Sequence, residues 1–171
     1  SYQTLEHRLK KLAEINSNLF ILNRNSVLIG DVCFAGCTLW SEPLCQVPRF
    51  IVKIQDMNRV KYQQMHTKDL KFIEGIIEYC KTKKHKLVLI THYPPSYRCL
   101  SGTRRKQKFL SLYASNLDHI AIKENVDTWI CGHTHTNFDF LTEDGCRIVS
   151  NQKGKSKMIA DDYSDKFTIN V

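Results

Sequence analysis

Two continuous apolar runs, LVLIT (87–91) and TWIC (128–131), each stop at a histidine segment: His92-Tyr93-Pro94-Pro95 after the first and Gly132-His133-Thr134-His135 after the second. Short uninterrupted apolar runs are the pattern of strands buried on both faces, which belong to parallel sheets covered by helices. Each run follows a stretch with helical spacing. Before the first, Leu70, Ile73, Ile76, Ile77 and Cys80 keep one apolar face, with Thr67 as the expected N-cap and lysines between 81 and 86 suiting the C-terminal dipole. Before the second, residues 117–124 predict another helix. Helix, buried strand and histidine, twice over, predict an α/β fold. In open α/β sheets the functional side chains gather at the carboxyl ends of the strands, where both histidine segments fall.

The rest of the chain supports one domain spanning residues 1–171. Leu5, Leu9, Leu12 and Ala13 recur as in a surface helix, LFIL (19–22) reads as a short strand, and SVLIG (26–30) with VCFAGCTLW (32–40) reads as a hairpin around a Gly30-Asp31 turn. Pro43 and Pro48 punctuate a loop, and residues 50–64 carry no clear pattern. FDFL (138–141) and CRIVS (146–150) form a second hairpin around Glu143-Asp144-Gly145, and the closing KFTINV alternates like a strand. The chain has no apolar run of membrane-spanning length, so a soluble, cytoplasmic protein with no membrane partner is expected. Seven cysteines without a Cys-x-x-Cys pair predict reduced, buried thiols rather than a disulfide framework. Cys33, Cys37 and Cys45 lack the second knuckle of a zinc site.

Charge narrows the partners. Lys+Arg 25 against Asp+Glu 17 gives a formal charge of +8, which favours phosphate esters or nucleic acid. Arg98, Arg104, Arg105, Lys106 and Lys108 crowd one segment with Ser101 and Gly102, a basic loop read as solvated, with a substrate-facing role as the sharper alternative. No recognition-helix, RNA-recognition or zinc-finger pattern accompanies it, so nucleic acid is expected as a substrate at most.

His92, His133 and His135 are the candidate metal ligands. Imidazole is the commonest neutral metal ligand, and two histidines one residue apart can turn towards one centre or towards two adjacent ones. Gly132, lacking a Cβ, is expected to let the backbone bend sharply out of the strand. His7, His66, His85 and His119 lie on helical or basic polar stretches with no partner at ligand spacing and read as solvated surface. Cys131 is expected to pack in the strand rather than bind metal.

ITHYPPS (90–96), DTWICGHTHTNFDF (127–140) and GCRIVSNQKG (145–154) resemble the later motifs of the calcineurin-like metallophosphoesterases, and residues 16–40 resemble a hairpin of its bacterial and viral members. The resemblance implies the C-terminal part of a four-layer α-β-β-α sandwich. It also implies hydrolysis of a phosphomonoester or phosphodiester by a metal-activated hydroxide, with two divalent cations of manganese, iron or zinc. By resemblance His92 and His133 hold one cation and His135 the other. That family's upstream ligands come from Asp-x-His, a Gly-Asp with a bridging carboxylate, and Gly-Asn-His. This sequence offers only Gly30-Asp31, which is turn chemistry between two strands. The chain is therefore expected to be the C-terminal portion of a larger enzyme, with no catalytic acid of its own and little activity alone. Tyr93 and Tyr97 are lesser candidates flanking the phosphate pocket. Asn151 stands where the family has an Asn-Pro-Arg-Gly-like turn, but Gln152 and Lys153 replace its Pro-Arg pair. The alternative is a noncatalytic metal-binding or interaction module that docks on another chain, its exposed sheet edge demanding a partner.

Overall fold

The computed structural model describes residues 2–42, 54, 57–102, 110–155, 158–160 and 162–171. The proline loop at 43–48, Cys45 and the cationic residues Arg104 to Lys108 lie outside them. The fold is mixed α/β, as the helix–strand alternation predicts. A helix α1 (Tyr2–Glu14) precedes the hairpin β1 (Asn25–Ile29) and β2 (Val32–Cys37), followed by the long helix α2 (Arg59–Lys83) and strand β3 (Lys86–Thr91). Then come β4 (Thr128–Ile130), β5 (Phe138–Leu141), β6 (Arg147–Ser150) and a small pair, β7 (Gly154–Lys155) with β8 (Met158–Ile159). The main sheet runs β1-β2-β3-β4-β6-β5. Its four central strands β2, β3, β4 and β6 are parallel, and the outer β1 and β5 are antiparallel.

Strand β3 is buried as its apolar run predicts, with Leu87, Val88 and Leu89 at 1% exposure or less. Trp129 of β4 pairs in register with Leu89 on one side and Ile148 on the other. It is the bulkiest fully buried side chain among the described residues. Helix α2 lays Ile73, Ile76, Ile77 and Cys80 on this core. Gly36 of β2 permits a close approach that any Cβ would block: an added methyl would stand 2.7 Å from the Ile90 carbonyl and 2.8 Å from Leu22 Cβ.

Helix α2 begins nine residues before its expected start, its N-cap being Asn58 rather than Thr67. Asn58 caps it, accepting from Lys61 N at 2.9 Å, and Thr67 sits inside the helix and returns its hydroxyl to Gln63 O at 3.0 Å. The extra turns escaped the sequence pattern because their buried positions are Tyr62 and His66, which make no apolar stripe. His66 is thus not the surface residue expected: it is 6% exposed, and its Nδ1 bonds the Trp40 carbonyl. His7 and His119 are exposed as expected, and His85 is half-buried beside the Tyr79 ring.

Three further expectations give way. Residues 117–124 form successive turns rather than a helix, with Asn125 Nδ2 donating to Ile120 O at 3.2 Å in competition with the main chain. LFIL (19–22) pairs with no strand; it crosses the sheet face, where Leu22 meets Gly36 and Arg24 N donates to Gly36 O at 2.8 Å. KFTINV is likewise irregular. Together α1 and residues 19–23 roof a cavity of about 860 Å³ over β2 and β3, lined by Leu5, Leu9, Phe20, Leu22 and Ile90 and reaching His92. No helix among the described residues is long and apolar enough to cross a membrane.

All six described cysteines are free and buried. Burial pushes the Cys37, Cys80 and Cys146 thiols up to about 12, so they are protonated packing groups near neutrality. On the outer hairpin Asp139 takes a bidentate pair from Arg147, Nε to Oδ1 at 2.8 Å and Nη2 to Oδ2 at 2.7 Å, across the diagonal of β5 and β6. The hydrogen bonds from Arg147 hold the Asp139 carboxyl below the usual carboxylate range. A depressed folded pKa means stability present above the unfolded carboxylate pKa and lost as pH falls through the folded one. Both side chains are substantially exposed, so Asp139→Asn is expected to cost only about 0.5 kcal/mol at neutral pH. That difference should vanish in acid, which urea unfolding at two pH values checks.

Candidate metal centre

Parallel pairing of β3 with β4 brings both histidine segments to one edge of the sheet, because both strands end there. His92 follows Thr91, the last residue of β3, and Gly132 N donates to the His92 carbonyl at 3.0 Å, tying the two turns together. Behind them the core reaches the site through a relay. Trp129 Nε1 donates to Thr91 Oγ1 at 3.0 Å, and Thr91 Oγ1 donates to the Tyr93 carbonyl at 2.7 Å. Tyr93 N in turn donates to Thr38 O at 3.0 Å. The turn bearing His92 is therefore bonded to β3, to β4 and to the residue that follows β2.

The His92 and His133 rings meet. His92 Nε2 and His133 Nδ1 are 3.0 Å apart, close enough for one ring to donate to the other. Two imidazoles on one tetrahedral cation, with bonds of about 2.0–2.1 Å, hold their nitrogens roughly 3.3 Å apart. The 3.0 Å separation of the pair is close to that spacing. Among the described residues no group of three or more His, Cys, Asp or Glu side chains gathers as a ligand set. His135, the third expected ligand, is exposed. It lies close enough for its charge to bear on His92. Burial first, and then the His135 charge, hold the His92 imidazole below the ordinary histidine pKa.

Aromatic rings wall this pair. The His133 ring lies 4.0 Å from that of Tyr93 and 5.9 Å from that of Tyr113, while Tyr93 meets His92 edge-on at 5.1 Å. Tyr93 is 7% exposed and packs on Trp40 and Tyr62 behind it, so it is a wall of the site rather than a free phosphate contact. Tyr97 is half-buried one turn away. Arg98, the first residue of the basic stretch, stacks over the Phe140 ring at 4.8 Å. Cys131 is 5% exposed and its thiol is held protonated by burial, as expected of strand packing.

The bend out of β4 does not use Gly132 as expected. A Cβ there would meet nothing nearer than the His92 carbonyl at 3.6 Å, ordinary contact, and the left-handed residues are the histidines themselves, His133 at φ 70 and His135 at φ 53. A residue with a Cβ pays about 1–2 kcal/mol for that conformation, so two in three positions need outside support. Gln152 supplies it. Its Oε1 accepts from His135 N at 2.8 Å, and its Nε2 donates to Thr134 Oγ1 at 3.0 Å and Thr136 O at 2.8 Å. Asn151 turns away, exchanging bonds with Ser164: Nδ2 to Ser164 O at 2.7 Å, and Ser164 N to Oδ1 at 3.1 Å. Gln152, Asn137 and Tyr113 were not among the expected site residues. The one sequence signal for Gln152 was an amide placed just beyond the end of a buried strand.

No protein-family model and no solved structure matches the chain. Among curated proteins it is similar to "Uncharacterized protein L509" of Acanthamoeba polyphaga mimivirus, 22% identical over 179 residues. That similarity spans 91% of this chain and 62% of the viral protein, so the chain matches less than two thirds of that relative's length.

Proposed function

We propose that this chain is the histidine-bearing C-terminal part of a calcineurin-like metallophosphoesterase, one portion of a four-layer α-β-β-α sandwich that hydrolyses a phosphomonoester or phosphodiester. The observation that carries the reading is the 3.0 Å approach of the His92 and His133 ring nitrogens at the ends of two adjacent parallel strands. The family-like motifs around them agree with it. Two divalent cations of manganese, iron or zinc, when bound, lower the pKa of water and neutralise charge on the phosphoryl oxygens. His92 and His133 would hold one cation and His135 the other. The remaining residues orient: the Trp129–Thr91–Tyr93 relay fixes the His92 turn, and the Tyr93 and Tyr113 rings flank His133.

The test compares residues 1–171 with the same chain joined to whatever its gene encodes before Ser1, assayed on p-nitrophenyl phosphate and bis(p-nitrophenyl) phosphate with Mn²⁺. The longer protein is expected to hydrolyse at least one ester, and residues 1–171 alone to do little. His92→Ala and His133→Ala should each cost more than the roughly 10–100-fold lost with an outer-shell partner. Hydrolysis that survives both substitutions sinks the reading.

A second reading is a noncatalytic metal-binding or interaction module that docks on another chain. Exposed apolar residues favour it: Leu28 and Ile29 on edge strand β1, at 48% and 56%, and Ile15 and Phe20 at 80% and 54%. Mn²⁺ binding by the longer protein without turnover of either ester would select this reading.

A further inference from the structure

Two side-chain amides continue the β5–β6 ladder past its last pair, Phe138 with Ser150. Asn137 Oδ1 accepts from Gln152 N, and Asn137 Nδ2 donates to Gln152 O at 3.2 Å, so this side chain copies the bonding of a facing strand. Gln152 answers in the other direction, with one acceptor and two donors spent on the main chain of His135, the hydroxyl of Thr134 and the carbonyl of Thr136. A planar primary amide is the only neutral side-chain group that offers an acceptor and two donors together. Asn137 Nδ2 also reaches Asp162 Oδ1 at 3.0 Å, which anchors the clamp to the C-terminal segment.

The segment held this way is the one whose two histidines adopt left-handed backbone. Backbone direction at residues 133 and 135 decides where their rings point. We propose that Gln152 is a positioning residue for the histidine segment: through His135 N, Thr134 Oγ1 and Thr136 O it locks the conformation that presents His133 to His92 and sets the direction of His135. The proposal deepens the phosphoesterase reading and rests on it for its purpose. The lock itself is a property of the metal-free chain, so the two can fail separately.

Substitution at one position tests it in the full chain, with Gln152→Ala and Gln152→Glu compared with wild type. Glutamate keeps an acceptor for His135 N, loses the donor to Thr136 O, and keeps Thr134 only by accepting from its hydroxyl; alanine loses all three bonds. The first readout is amide hydrogen exchange without metal. Exchange at His135 should accelerate roughly tenfold or more in Gln152→Ala, the scale of a lost hydrogen bond, while the core amides of Leu89 and Val149 hold their rates. Glutamate should restore protection at His135 to within about threefold of wild type. A general loss of stability would move all these amides together and would not be rescued by glutamate. The second readout is Co²⁺ titration followed by its visible absorption, with alanine expected to weaken binding about 10–100-fold and glutamate less.

Unchanged exchange at His135 in Gln152→Ala overturns the positioning role whatever the metal does. If alanine prevents folding, the near-isosteric Gln152→Met, which also loses all three bonds, takes its place: selective acceleration at His135 with weaker Co²⁺ binding supports the role, and His135 exchange like wild type overturns it. Selective acceleration at His135 in a protein whose wild type takes up no Co²⁺ keeps the lock, and the phosphoesterase reading then stands or falls on the hydrolysis assay of the longer protein.

Discussion

Trp129→Ala is expected to lower the unfolding free energy by about 3–5 kcal/mol, the range for removing a fully buried large aromatic side chain. Trp129 has 0% exposure and sits in the middle of the sheet, between Leu89 and Ile148. Its neighbours are strands, which cannot collapse into the space without breaking their ladders, so the cavity stays open. The loss also reaches the site, because Nε1 would no longer hold Thr91 Oγ1, the group that closes the turn at Tyr93. Trp129→Phe separates the two effects. It keeps most of the ring volume and loses the donor, for an expected cost of about 1–2 kcal/mol. Urea unfolding measures both, through the shift in midpoint at unchanged slope. An alanine variant within 1 kcal/mol of wild type, roughly a surface-substitution effect, contradicts the packing described here.

Asp69→Ala should cost about 3 kcal/mol, the lower end for breaking a buried ion pair by removing one partner. The carboxylate is 0% exposed and serves two donors from different segments, Arg24 Nη1 at 2.7 Å and Trp40 N at 3.1 Å. Arg24 retains 27% exposure, so water takes up part of its charge; the Trp40 amide has no such relief. Asp69→Asn keeps an acceptor for Trp40 N and loses the ionic bond, so it should lie well below alanine in cost. Equal losses in the two variants would mean that the charge, rather than the amide, carries the interaction. Because Asp69 joins α2 to the segment before β1 and the segment after β2, its removal is expected to loosen the helix against the sheet. Faster amide exchange along residues 62–69 would show this.

The parallel core and the edge where the histidines gather were legible without coordinates. LVLIT and TWIC contain nothing but residues that a doubly covered strand requires, and the turns after them contain what such a strand cannot continue through, proline in one and glycine in the other. The Gly30-Asp31 hairpin was equally local, with Gly30 at φ 64. The start of α2 was hidden because Tyr62 and His66 are buried by bonds to partners 21 or more residues away, Ser41 and Trp40. Residues 117–124 have helical spacing, but that signal is short, and isolated helical turns of that length gain too little to outcompete side-chain bonds such as that of Asn125.

The sequence by itself determined the class of the protein: which segments are buried strands, that they run parallel, and which three histidines follow them. Only the tertiary structure decided how those histidines stand. Register between β3 and β4 set His92 against His133, and Gln152, 17 residues from His135, took over the bending role that local sequence had assigned to Gly132. Strand burial is written in a residue's own chemistry and that of its neighbours, whereas a left-handed histidine is held by groups that only the folded chain brings near.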